Sequence, residues 1–260
     1  MDAVQLMLAL ASGCIIGIVL GTVGGGGSIL AVPLLVYFVG VRSPHQAIGT
    51  AAVAVAVNAF VGLVGHARAG AIKWPCAAVF ALSGVIGATI GAEAGKAFDG
   101  QRLLLLFGML MIGVGVAMLR ERRGAEVPNV RLTRASAAVL LPRLIPIGLG
   151  VGLAAGFFGI GGGFLIVPGL IAATRMPLRT AVGTSLVVVT ALGLTTATSY
   201  AVSGLIDWAL VASLIAGGVA GAAAAIALGR KLGARKNLLE RLFATIVILA
   251  GGYIVARGLS

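Results

Sequence analysis

Long apolar stretches, separated by short polar or basic breaks, occupy almost the whole chain. Runs close to the ~20 residues that cross a bilayer as a helix lie at 5–23, 46–66, 75–95, 102–119, 137–158, 180–202, 208–229 and 239–257. Two shorter runs, 28–41 and 163–174, each follow a cluster of glycines. The pattern predicts an all-α integral membrane protein. Composition agrees: of 260 residues 60% are hydrophobic and 10% charged, with a mean hydropathy of +1.13, far outside the range of soluble domains. Met1 to Gln5 carry no positive charge, so the pattern of a cleavable leader is missing and the first run is expected to stay in the mature chain.

The glycine clusters are two copies of one stretch. GTVGGGGSILAVP at 21–33 returns as GFFGIGGGFLIVP at 156–168, with seven of thirteen positions identical, Gly21/Gly156, Gly24/Gly159, Gly26/Gly161, Gly27/Gly162 and Pro33/Pro168 among them. The likeness continues at an offset of 134: IGTAAVAVAVN (48–58) aligns with VGTSLVVVTAL (182–192), and AGAIKW (69–74) with SGLIDW (203–208). Ser83, Gly87, Gly91 and Gly95 align with Gly217, Gly221, Ala225 and Gly229, a ladder of small residues that lets membrane helices approach backbone to backbone. Each half reads as five apolar segments, with short or re-entrant helices after the glycine clusters. The division expected is an N-terminal transmembrane repeat at 1–119, a basic cytoplasmic linker at 120–136 and a C-terminal transmembrane repeat at 137–260.

The formal charge of +12 suggests nucleic acid at first sight, but no basic stripe on a soluble domain and almost no aromatic interleaving accompany it. Arginine and lysine sit in loops, where they set topology. If each half has an odd number of crossings, one face receives Arg68, Lys73, Arg120, Arg122, Arg123, Arg131, Arg134, Arg143, Arg175, Arg179, Arg230, Lys231, Arg235, Lys236 and Arg241, and the other only Arg42, Lys96, Arg102 and Arg257. Fifteen against four favours inverted repeats, a cytoplasmic linker and both termini outside.

Non-helical backbone inside the hydrocarbon is tolerated only where protein or a water-filled cavity satisfies it, so the glycine breaks must face inward. The short helices that begin near Ser28 and Gly163 present free amides and positive dipole ends, which suit an anion. The candidate substrate-binding residues are therefore Gly24, Gly25, Gly26, Gly27 and Ser28 in one half and Gly159, Gly161, Gly162 and Gly163 in the other. Thr50, Asn58, Thr184 and Ser185 complete the lining, all uncharged hydrogen-bonding groups. Thr190, Thr195 and Thr196 share the second half's polar character. Each hydroxyl has the alternative of bonding its own helix four residues back. Few ionisable groups lie in apolar runs: His66, Glu93 and Tyr200, the last aligned with His66, are the candidates for coupling or gating, and Lys96 can pair with Glu93 one turn away. No catalytic constellation, cofactor motif or metal-ligand cluster is present in the sequence; GxxxxGK[ST], HExxH and GxSxG are absent, and Cys14 and Cys76 stand apart.

The paired motifs Gly24–Pro33 and Gly159–Pro168, with the segments Gly49–Thr50 and Gly183–Thr184 that follow them, resemble the TauE/SafE sulfite exporter family across nearly the whole chain. The resemblance implies a multi-pass transporter of the bacterial inner membrane moving small sulfur-containing anions such as sulfite, sulfoacetate, other organosulfonates or thiosulfate. Its partners would be the anion and the lipid bilayer, with no nucleic acid, and with homo-oligomerisation left open. An anion channel and a non-transporting membrane scaffold are the rival readings. One departure is internal: Ile160 stands where the first half has Gly25, so the halves are not chemically equivalent.

Overall fold

A computed structural model of the chain describes the backbone of residues 3–23, 25–68, 70, 72–119, 130, 132–159, 163–232 and 236–259. Among these residues the regular structure is all helical. Helix α1 spans Ala3–Val23; α2, residues 25–38, is a composite of a 3₁₀ stretch Gly25–Leu30, one α turn Ala31–Pro33 and a wide π turn Leu34–Phe38. Then follow α3 Pro44–Arg68, α4 Trp74–Ala97, α5 Gly100–Leu119, α6 Arg134–Phe158, α7 Gly163–Thr174, α8 Leu178–Val202, α9 Trp208–Leu232 and α10 Lys236–Leu259. Each of the ten apolar runs coincides with one helix to within a few residues. Counted over the described residues, six of them are long and apolar enough to cross a membrane, and the chain is a multi-pass membrane protein. Helix α7 has 12 residues, about 18 Å, which falls short of the ~30 Å hydrocarbon layer. It cannot cross alone.

Local chemistry explains where helices start and stop. The Thr133 hydroxyl accepts from the Ser136 amide while the Ser136 hydroxyl accepts from the Thr133 amide, a reciprocal cap that opens α6. Gly159 closes the same helix at φ 65°, a left-handed conformation that glycine adopts without a Cβ penalty. In α2 the run of glycines weakens the ordinary α register, and Pro33 withholds an amide from it. The result is the tighter 3₁₀ winding before Pro33 and the wider π winding after it, where the Val39 amide reaches back to the Leu34 carbonyl at 2.9 Å.

The helices pair across the chain's midpoint. Helix α1 lies on α9, α4 on α6, α3 on α8 and α5 on α10. The first two pairs are backbone-to-backbone crossings at small residues: Gly13 meets Leu214 and Gly17 meets Gly218, while Gly148 meets Phe80 and Gly152 meets Gly84. Numbers rise together in both, so the partners run parallel. In the other two pairs they run opposite ways: Gly49 packs on Tyr200, Gly193 on Ala56 and Gly62 on Leu186, and Gly108 packs on Gly251 while Gly115 packs on Ile248. Helices α3 and α8 form the most enclosed pair among the long spans.

Candidate functional site

The segment that follows the first glycine cluster meets the helix that follows the second. The 3₁₀ part of α2 lies against α7 and α1, with Gly27 pressed onto the α1 backbone at Ile16 and Leu20 and with Ser28 fully buried. Gly25 and Gly26 belong to that 3₁₀ backbone; Gly24, Gly161 and Gly162 lie outside the described residues. On the other side Gly159 ends α6, where a Cβ would run into Ile48, and buried Gly163 opens α7. The first amides of α7 have no acceptor within their own helix. Pro168 cannot donate to the Phe164 carbonyl, so the opening turn of this short helix lacks an intrahelical donor there as well as acceptors for its first amides.

Thr50 and Thr184 are tied across the chain. The Asp207 amide donates to Thr50 Oγ1 at 3.0 Å, and the Lys73 amide donates to Thr184 Oγ1 at 3.1 Å. Both pairs of equivalents, 50/184 and 73/207, differ by the same 134 positions, so one contact is the counterpart of the other. Each hydroxyl anchors the loop that starts a long helix, α9 or α4. The two anchors differ in charge: Asp207 Oδ1 also accepts from the Ala209 and Leu210 amides at 3.1 Å, whereas Lys73 supplies no side-chain cap. Thr184→Val keeps the shape and strands the Lys73 amide, which is expected to destabilise the protein by about 1–3 kcal/mol, with Thr184→Ser close to the parent. Thermal melting in detergent checks it; equal melting of the valine and serine variants would contradict the anchoring role.

The remaining polar side chains separate into satisfied and unsatisfied groups. Ser185 donates to the Val182 carbonyl at 2.8 Å, Thr190 to Leu186 at 2.8 Å and Thr195 to Ala191 at 2.9 Å, each within its own helix. Four atoms that are sealed from solvent have no hydrogen-bond partner among the described residues: His45 Nδ1, Asn58 Oδ1, Thr196 Oγ1 and Tyr200 Oη. All four lie on α3 or α8. Leaving such a group unmade costs about 1–3 kcal/mol. Asn58, 5% exposed, rests on Gly218 of α9, the residue that also meets Gly17 of α1. Since Gly27 rests on Ile16 and Leu20, the amide and the first glycine break share one level of α1. The equivalent of Asn58 in the second half is Leu192, which packs on Gly84 in the matching position.

Two of the ionisable candidates, Glu93 and Tyr200, meet Lys96 at one end of α4 and α8. Lys96 pairs with Glu93 at 2.7 Å and donates to the Ser199 carbonyl at 3.3 Å and the Ser203 hydroxyl at 3.0 Å. Ser199 in turn donates to Glu93 at 2.8 Å, and the Lys96 ammonium lies 6.0 Å from the centre of the Tyr200 ring. His66 is not part of this cluster. Its Nδ1 lies 3.1 Å from the Gly62 carbonyl of its own helix, and in the antiparallel α3–α8 pair it is at the opposite end from Tyr200. Lys73, Asp207, Ser199 and Ser203 were not singled out by the sequence. The Trp74/Trp208 alignment placed the first two in equivalent positions, and the four-residue spacing of the serines puts them on one helix face. Among the described residues no three His, Cys, Asp or Glu side chains come together as a metal site.

The sulfite exporter TauE/SafE family matches residues 9–254. The chain belongs to that family. It is a family of transporters rather than of enzymes, and relatives carry the corresponding description. A "probable membrane transporter protein" of Xylella fastidiosa strain Temecula1 is 47% identical over 260 residues, covering 97% of this chain and 96% of the relative. A protein of the same description from Xylella fastidiosa strain 9a5c is 46% identical over 253 residues, with the same coverage. The "probable membrane transporter protein YunE" of Bacillus subtilis is 24% identical over 272 residues, covering 94% of this chain and 97% of the relative. No solved structure matches.

Proposed function

We propose that this TauE/SafE protein is a secondary transporter that exports small sulfur-containing anions, sulfite, sulfoacetate or another organosulfonate, by alternating access across a bacterial inner membrane. In this reading the chain consists of two inverted repeats, 1–119 and 137–260, joined by the linker 120–136, with both termini outside. The observation that carries it is the packing of the 3₁₀ segment Gly25–Leu30 on the short helix α7, flanked by helices that exchange reciprocal contacts, Thr50 with Asp207 and Thr184 with Lys73. The antiparallel course of the equivalents α3 and α8, and of α5 and α10, supports the inversion. The substrate is held by the breaks, Gly24–Ser28 and Gly159–Gly163, and lined by Thr50, Asn58, Thr184 and Ser185. Glu93, Tyr200 and His66 are left to couple or gate.

Amides, hydroxyls and one carboxamide offer donors without fixed charge, which lets an anion bind and leave. A membrane potential negative inside expels a monovalent anion with roughly 2.3 kcal/mol per 100 mV, so export needs no coupling ion. Proteoliposomes loaded with labelled sulfite or sulfoacetate are expected to release it several-fold faster when a potential negative on the loaded side is imposed. Flux indifferent to the potential, or a single-channel conductance, would contradict an electrogenic carrier.

A further inference from the structure

Three of the unpartnered atoms are aligned. Those of His45, Tyr200 and Thr196 can be placed along the α3–α8 pair by its register, in which Gly49 faces Tyr200, Ala56 faces Gly193 and Gly62 faces Leu186. Thr196, one turn before Tyr200 on α8, then stands beside Val53. The order along α3 is His45, Tyr200 at the level of Gly49 and Thr196 at the level of Val53. At ~1.5 Å per residue this column descends about 12 Å from His45 toward the middle of a 25-residue helix. Its steps are close to one helical turn. Asn58 lies on the opposite face of α3 from Gly49, against Gly218 of α9, and is not part of the column. Beyond Thr196 the pattern on α8 changes: Thr195, Thr190 and Ser185 bond their own helix and Thr184 accepts from Lys73.

The geometry points to a one-sided polar half-path along α3 and α8, open to water and small hydrated oxyanions from the end that carries Lys96 and Ser203, and reaching Thr196. Buried polar atoms are almost always partnered by protein or by ordered water, and a run of three exceptions on two touching helices needs a common external partner. The groups are a ring nitrogen and two hydroxyls, none with a fixed charge. They can replace the water shell of an oxyanion one hydrogen bond at a time without trapping it. The mouth is built accordingly: Gly100 packs on Pro44 and Lys96 is tied to α8, which brings the starts of α3 and α5 to the ends of α4 and α8. On the far half of α8 the hydroxyls of Thr190, Ser185 and Thr184 already have partners within the protein. The inference depends on the transporter reading for its cargo but not for its existence.

Two measurements on the full chain in lipid test it. In nanodiscs, hydroxyl-radical footprinting of the unaltered protein is expected to oxidise Tyr200 at least tenfold faster than Phe80 and Phe107, which are as fully buried but have no polar atom to wet. Sidedness is read in a chain with Cys14→Ala and Cys76→Ala, using a membrane-impermeant thiol reagent on right-side-out and inside-out vesicles. Thr196→Cys should react from one face only, the face on which exposed Ser203→Cys reacts, and at least tenfold faster than Thr190→Cys. Tyr200 as slow as Phe80, or Thr196→Cys reacting no faster than Thr190→Cys or equally from both faces, overturns the half-path. Sulfite added in excess is a separate arm. Slower modification of Thr196→Cys supports the sulfur-oxyanion reading; unchanged modification counts against sulfite as cargo while the half-path stands on the first two results.

Discussion

Gly152→Ala should lower the melting temperature of the purified protein by roughly 2–8 °C, whereas Gly150→Ala on the same helix leaves it unchanged or slightly raised. Alanine is the better helix former by about 1 kcal/mol, so on propensity alone both changes would stabilise. What decides is the neighbour. A Cβ at 152 would press on the carbonyl and Cα of Gly84, which are backbone and cannot rotate away, while a Cβ at 150 meets nothing within 4 Å. Parting α4 from α6 to admit one methyl also loosens the crossings of Gly148 on Phe80 and Gly156 on Ala88. Overpacking of this kind costs about 1–3 kcal/mol and outweighs the propensity gain. Gly17→Ala makes the same intrusion on Gly218 and should behave alike. Melting by size-exclusion in detergent is the measurement; identical melting of the 150 and 152 variants would refute the rigid crossing.

Asn58→Leu is expected to cut transport at least tenfold while leaving the melting temperature equal to the parent or above it. The two observables part because the amide is a liability in the folded protein: its oxygen is buried without a partner, and removing that mismatch relieves a cost. Space for leucine is demonstrated in the second half, where Leu192 fills the equivalent place against Gly84 as Asn58 fills its own against Gly218. Tolerance of the change in both flux and stability would make Asn58 incidental. A drop in melting temperature together with flux would make it structural.

Much of the architecture could be read from the chain because membrane helices are specified locally. Twenty apolar residues with basic loops mark a span wherever they occur, and the spacing of Glu93 and Lys96 made their ion pair legible. The interior of α2 was not, because the shift from 3₁₀ to π winding depends on how Gly27 seats on α1 and on the amide that Pro33 withholds. Likewise Thr50 and Thr184 stood out as equivalents, but their partners lie 157 and 111 positions away, and no local pattern encodes such a contact. Thr195 and Thr196 are adjacent and chemically identical, yet one bonds Ala191 and the other has no partner among the described residues. Rotation of α8 against its neighbours separates them, and only packing sets that rotation.

The pairing of α1 with α9 and of α4 with α6 has a consequence for biogenesis. During synthesis the first helix emerges from the ribosome long before its partner, and about four-fifths of the polypeptide must be inserted before Gly17 can find Gly218. Until then its small-residue face has only lipid, the insertion machinery or a wrong helix to lie against. Maturation therefore waits on the carboxy-terminal portion, and a nascent chain stalled before α9 would leave an orphaned intermediate for membrane proteases to clear.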